Sequence, residues 1–222
     1  MRMTTRHRPN APLRRSGKLA ELRMRLAHAG DCAQIHAIML AAFAEYRQYA
    51  FPSSALSETV GDVACAMARG GAVLVETSDG GIASVRFDVR LRGDSAEGGE
   101  EASAVGERRD ALSRARAIAE AWGATRGAER AHGLHREGGV FSFSRLAVRP
   151  ERRGEGIGGR LVARLERLAW DLGLDAVEIT ARSAQPDNRP YYERLGYQVV
   201  GYAERYGIDN LVTKMRKGLS GE

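Results

Sequence analysis

One segment constrains this chain more than any other: VFSFSRLAVRPERRGEGIGGRLVARLERLAWDL, Val140 to Leu172. Phe141 and Phe143 alternate with Ser142 and Ser144, and Leu146 and Val148 continue an apolar run to Pro150, which predicts a strand ending there. From Ile157 onward Leu161, Leu165, Leu168 and Leu172 recur at helical spacing, and Gly173 marks a stop. A strand feeding an amphipathic helix through a short connection predicts an α/β unit.

That connection is itself informative. A helix start leaves backbone N–H groups unpaired and carries partial positive charge, so it attracts anions. Gly154, Gly156 and Gly158 let the backbone approach a bulky anion without Cβ obstruction, while Arg152 and Arg153 add charge at the rim. The stretch reads as a diphosphate cradle. GEGIGG also fits the dinucleotide fingerprint, but RPERR intervenes after the strand, Glu178 lies in the middle of the next strand, and the loop comes late in the chain. A phosphate loop of the Gly-Lys-Ser/Thr kind is absent.

Around this unit the pattern is mixed. ELRMRLAHAG alternates as a half-buried strand, and Asp31 is a candidate N-cap for a helix carrying Ile35, Ile38, Met39, Ala42 and Phe43. A second helix is expected over Ser57–Ala68, stopped by Gly70-Gly71. AVLVETSDGGIASVRFDVRL predicts a hairpin around Asp79-Gly80-Gly81. DAVEITAR reads as a strand, SAQPDNRPYYERLGY as a turn and short helix, and QVVGYAERY with NLVTKMRKG as a closing hairpin. The fold class is therefore α/β with an α+β mixed sheet. Residues 93–139 are expected to form a helical, glycine-rich insertion, and residues 1–20 a disordered basic arm ahead of one domain spanning 21–222.

Composition excludes several classes. No apolar run approaches the ~18–20 residues of a membrane span, and the arginine-rich start lacks the apolar core of a secretory signal, so a cytoplasmic location is expected. Cys32 and Cys65 have no metal-ligand or redox spacing, and His132 and His135 lack an accompanying ligand set, so no metal is expected. The net charge of +6 is concentrated partly in the arm, which has no aromatic residues interleaved with its arginines; nucleic-acid binding is not expected.

LAVRPERRGEGIGGRLV resembles the acetyl-CoA signature of the GNAT-type N-acetyltransferase superfamily, with Arg153, Gly156 and Gly158 matching its R/Q-x-x-G-x-G/A motif. YYERLGYQVVG, downstream and in the same order, resembles the family's YExxGF segment, with Tyr197 in place of Phe. The clear resemblance covers Val140 to about Gly201. It implies a GNAT-like central, mostly antiparallel twisted sheet with helices on both faces.

The resemblance also implies acetyl-CoA as co-substrate. Its pyrophosphate would lie on the amides of Gly154, Glu155, Gly156, Ile157, Gly158 and Gly159, and its pantetheine along Leu146, Ala147 and Val148. Asn188 stands only four residues before Tyr192, closer than the family's asparagine. A neutral amine, on a small molecule or a protein, would attack the thioester directly, with Tyr192 as the acid protonating the leaving thiolate. Tyr191, its neighbour, turns about 100° away on a helix. Glu178 shares a strand face with Thr180 and Arg182 and is either a base or an arginine partner; Ser144 is a candidate for ordering a water. Glu45, Glu58 and Asp62 are placed to attract a cationic amine. A homodimer is implied by analogy. The alternative function is a non-catalytic acyl-CoA-binding or sensing module, which would not require Tyr192.

Overall fold

The alternating segments assemble into one seven-stranded sheet in the computed structural model, which describes residues 22–91, 113, 138–183, 187–205 and 208–219. The strands are β1 (Arg23–Leu26), β2 (Gly71–Thr77), β3 (Gly80–Leu91), β4 (Gly139–Val148), β5 (Ala176–Arg182), β6 (Gln198–Arg205) and β7 (Ile208–Gly218). They run in the order β1-β2-β3-β4-β5-β7-β6, and every neighbouring pair is antiparallel except β4 and β5. A parallel neighbour is reached only by a crossover, and here the crossover is the amphipathic helix α3 (Ile157–Asp171). Further helices are α1 (Cys32–Phe43), α2 (Val60–Arg69) and the short α4 (Arg189–Glu193).

Helices cover the sheet from both sides. Along β2, Ala72 and Leu74 pack with α1 and α2 on one face, while Val73 and Val75 join the α3 cluster on the other. This two-sided burial explains why β2 reads as a continuous apolar run rather than an alternating one. On α3, Ile157, Leu161, Val162, Leu165, Leu168 and Ala169 are fully buried against Phe87, Phe141, Phe143, Val177 and Ile179. Burying each large aliphatic side chain contributes ~1.5–3 kcal/mol, so this face holds the crossover in place. Gly173, at φ 73°, ends the helix in the left-handed conformation its position predicts.

Three local expectations are corrected. Asp31 stands at the N-cap of α1 but makes no side-chain cap to it; its carboxylate accepts from His28 N–H at 2.8 Å and from the Arg25 guanidinium at 2.7 and 2.8 Å. The arginine and the preceding turn outcompete the helix for it. The second helix begins at Val60, not Ser57, because Thr59 and Asp62 form a reciprocal capping box and Ser54–Ser57 makes a separate 3-10 turn. In the hairpin the two loop residues are Ser78 and Asp79, with Thr77 paired to Gly80, one position earlier than expected. The arm at 1–20 and, apart from Ser113, Gly138 and Gly139, the insertion at 93–139 lie outside the described residues, as do His132 and His135.

Candidate active site

The site begins with a disagreement between two strands. β4 and β5 pair only from Val140 with Ala176 to Phe143 with Ile179. Beyond that point β4 runs on to Val148 and β5 to Arg182 without pairing to each other, so the sheet opens like a fork. At the opening Arg145 adopts φ 53°, and the β3–β4 register shifts between Ser84 and Arg86, the signature of a bulge. Ala147 and Val148 therefore keep β3 on one side, Leu146 lies in the bulge, and this end of β4 presents an edge without a strand partner among the described residues on the other. Arg145, Leu146 and Val148 border a cleft of about 1310 Å³.

The glycine loop closes one end of the cleft. Gly154 and Gly156 have φ of 80° and 74°, and an added Cβ at either would meet nothing within 4 Å. The first helical hydrogen bond runs from Arg160 N–H to Gly156 O at 3.1 Å, so the amides of Ile157, Gly158 and Gly159 have no acceptor within the helix. Gly158 is a glycine for a different reason: a Cβ there would stand 2.9 Å from the hydroxyl of Tyr191. The open space and the row of N–H groups fit a bulky anion.

The loop arginines are anchored. Arg152 pairs with Glu155 at 2.7 Å, which raises the arginine and lowers the carboxyl. Arg153 reaches across to Glu45 at 3.0 Å and to the carbonyl of Ala42 at 2.6 Å, tying the loop to the end of α1.

At the fork stand the tyrosines of α4. Tyr192 packs its ring 6.2 Å from Phe143 and 5.9 Å from Tyr197, and burial raises its hydroxyl well above the ordinary phenol value. Its hydroxyl is therefore neutral at physiological pH. Tyr191 instead turns its buried hydroxyl toward the first turn of α3, where it has no hydrogen-bond partner among the described residues. Asn188 lines the cleft and donates to the Tyr46 hydroxyl at 3.1 Å, while Arg182 lies over the Tyr46 ring at 5.4 Å. Tyr46 had no sequence signal beyond its place in an aromatic cluster.

The floor on the far side of the fork is a polar sheet face. Arg86, Asp88 and Arg90 of β3, Ser142 and Ser144 of β4, Glu178 and Thr180 of β5 and Lys214 of β7 share it. Glu178 lies between Arg90 at 2.8 Å and Arg216 at 3.0 Å, the arginine-pairing alternative of the two the sequence leaves open. Glu58 is gripped by Arg145 Nε at 2.7 Å and Arg86 at 2.9 Å. Burial alone would raise its pKa, but the two arginines win and lower it. Since Glu45 is held by Arg153 and Asp62 caps α2, none of the three acids expected to attract a cation is unpaired. Arg86 and Arg90 could have been read from their alternation with Val85, Phe87 and Val89; the bulge at Arg145 has no such signal.

Residues 115–199 match the family model described as an acetyltransferase (GNAT) domain. A structure from Lactobacillus plantarum described as an N-acetyltransferase superposes with a TM-score of 0.53 at 19% identity, covering 90% of this chain and 99% of that one. A Salmonella typhimurium structure solved with its cofactor acetyl-CoA superposes with a TM-score of 0.54 at 17% identity, covering 90% and 95%. A GNAT-family acetyltransferase from Streptococcus pneumoniae gives 0.54 at 14%, covering 90% and 100%. At these identities the likeness is one of fold. No curated protein matches the chain.

Proposed function

We propose that this chain, whose residues 115–199 match an acetyltransferase (GNAT) domain, is an N-acetyltransferase that transfers the acetyl group of acetyl-CoA to a primary amine by direct attack of that amine on the thioester. One observation carries this reading: an open helix N-terminus, an unpaired strand edge and a buried tyrosine border the same cleft. The amides of Ile157, Gly158 and Gly159 suit a pyrophosphate, and Gly154 and Gly156 leave it room. The edge of Leu146, Ala147 and Val148 suits an extended, amide-bearing arm held by strand-like hydrogen bonds. Asn188 braces the cleft through Tyr46.

Acetyl-CoA supplies, when bound, an activated acyl group with a thiol as its leaving group. Tyr192 gives its phenolic proton to that sulfur as the carbon–sulfur bond breaks, a role its burial as a neutral hydroxyl favours. Proton transfer from a positioned group is typically worth ~10²–10⁴-fold. Neither cysteine borders the cleft, Cys32 being buried at the start of α1 and Cys65 exposed on α2, so direct attack suits the site better than a covalent relay. Glu178, held by two arginines, is assigned to shaping the floor rather than to removing the amine proton.

Release of free thiol from acetyl-CoA, measured against a broad panel of primary amines, tests this function. Amine-dependent release that falls about 100-fold or more in Tyr192→Phe, with acetyl-CoA affinity retained, is the expected result. An undiminished rate in Tyr192→Phe would remove the proton-donor role, and acetyl-CoA binding without thiol release for any amine would favour the non-catalytic sensing module.

A further inference from the structure

The floor of the cleft has a sign. Its acceptor side is lined by Arg69, Arg86, Arg90, Arg145, Arg182 and Lys214, against Asp88 and Glu178, with Glu58 just behind. The acids do not cancel the cations. Glu58 offers one negative charge to two guanidinium groups, and Glu178 does the same, so each cluster keeps a net positive charge.

Lys214 completes the arrangement. It is exposed, borders the cleft, and forms no ion pair among the described residues. In the β5–β7 register it stands opposite Thr180, which shares its face, about 4.8 Å beyond β5 and hence one strand spacing from the fork. A side chain and hydroxyl so placed are a donor pair for an anion, in a concave surface that concentrates positive potential.

From this surface we infer that the acceptor is an amine that also carries an acid group, a carboxylate or a phosphate, and that Lys214 holds that group. The inference rests on the acetyltransferase reading above and narrows it to a substrate class. A polycationic amine would meet a net excess of like charge. An amine with an acid group offsets the excess, and its ammonium, placed near guanidinium groups, loses its proton more readily, because neighbouring like charge disfavours the charged form. The same surface thus selects the substrate and helps deliver the neutral nucleophile. Lys214 is a specificity residue, not a proton carrier.

Matched amine pairs test the inference: phenylalanine with phenethylamine, alanine with ethylamine, and O-phosphoethanolamine with ethanolamine. Rates and acetyl-CoA affinity are measured for the wild type, Lys214→Met and Lys214→Arg. The acid-bearing member of at least one pair is expected to show a kcat/KM about tenfold or more above its partner, the carboxylate and phosphate pairs deciding which acid is read. Lys214→Met should collapse that preference through KM, Lys214→Arg should restore most of it, and acetyl-CoA affinity should hold in both. Equal or better turnover of the acid-free members overturns the inference. So does a KM increase shared by both members of each pair, or turnover of no acid-bearing amine by a protein that binds acetyl-CoA. Failure to bind acetyl-CoA at all refutes the acetyltransferase reading itself, a distinguishable outcome.

Discussion

Gly158 and Tyr191 are predicted to be energetically coupled, and the contact geometry sets the size of the effect. A Cβ on Gly158 would meet the Tyr191 hydroxyl at 2.9 Å, but the next atoms, the ring carbon bearing that hydroxyl and a Leu146 methyl, at 3.8 and 3.9 Å. Gly158→Ala alone therefore overpacks the first turn of α3, at a cost of ~1–3 kcal/mol, against which helix propensity returns at most about 1 kcal/mol. Tyr191→Phe alone removes a buried hydroxyl without a partner among the described residues, a group whose burial costs ~1–3 kcal/mol, and should stabilise the fold. In the double variant the new methyl occupies the space the oxygen vacates, with only ordinary contacts left. The double-mutant cycle should show a favourable coupling of ~1–3 kcal/mol. Denaturant unfolding of the four proteins measures it, and in a chain of this size each kcal/mol corresponds to about 2–4 °C in Tm. Additive changes, or a Gly158→Ala variant more stable than the wild type by itself, would refute the reasoning.

Other outcomes follow from single elements. Leu165→Ala removes a fully buried side chain from the centre of α3 and should cost ~2–5 kcal/mol in equilibrium unfolding. Asp31 and Glu58 have lowered pKa values, Asp31 chiefly through its hydrogen bonds with Arg25 and Glu58 through Arg86 and Arg145 against burial. Their contribution is therefore complete above the unfolded carboxylate values and is lost as pH falls below about 4; Asp31→Asn should flatten the acid limb of a stability–pH curve. Tyr192 and Tyr197 are raised by burial, so the fold favours their protonated forms. That contribution is present below about pH 10 and lost above it, and Tyr197→Phe should reduce the alkaline loss seen by circular dichroism. Arg153→Ala frees the glycine loop from Glu45 and Ala42 and should weaken acetyl-CoA binding more than it lowers kcat.

Much of the fold is legible in the sequence because its strongest signals are local. The apolar positions of α3 recur so regularly that helix, buried face and stop at Gly173 follow directly. Thr59-x-x-Asp62 carried the true start of α2, and a reading by apolar spacing alone passes over it. What is not legible depends on partners distant in sequence. The fork follows from where β4 and β5 stop pairing and from a bulge at Arg145, a non-glycine residue at positive φ that no local pattern marks. The fate of Glu178 depends on Arg90 and Arg216, 88 and 38 residues away. Similarly, Glu58 and Glu45 look available in sequence, and only the fold shows the first held by Arg86 and Arg145 and the second by Arg153.

Calorimetric titration of acetyl-CoA into the wild type and Gly156→Glu tests the central claim most directly. The substitution puts a side chain and a negative charge into the open space at the helix start, at a position whose φ of 74° already disfavours any side chain. The account predicts saturable binding to the wild type and its loss in Gly156→Glu, with circular dichroism showing that the variant remains folded. Absence of binding to the wild type, or equal affinity in a folded Gly156→Glu, would contradict the cradle and the acetyl transfer built on it.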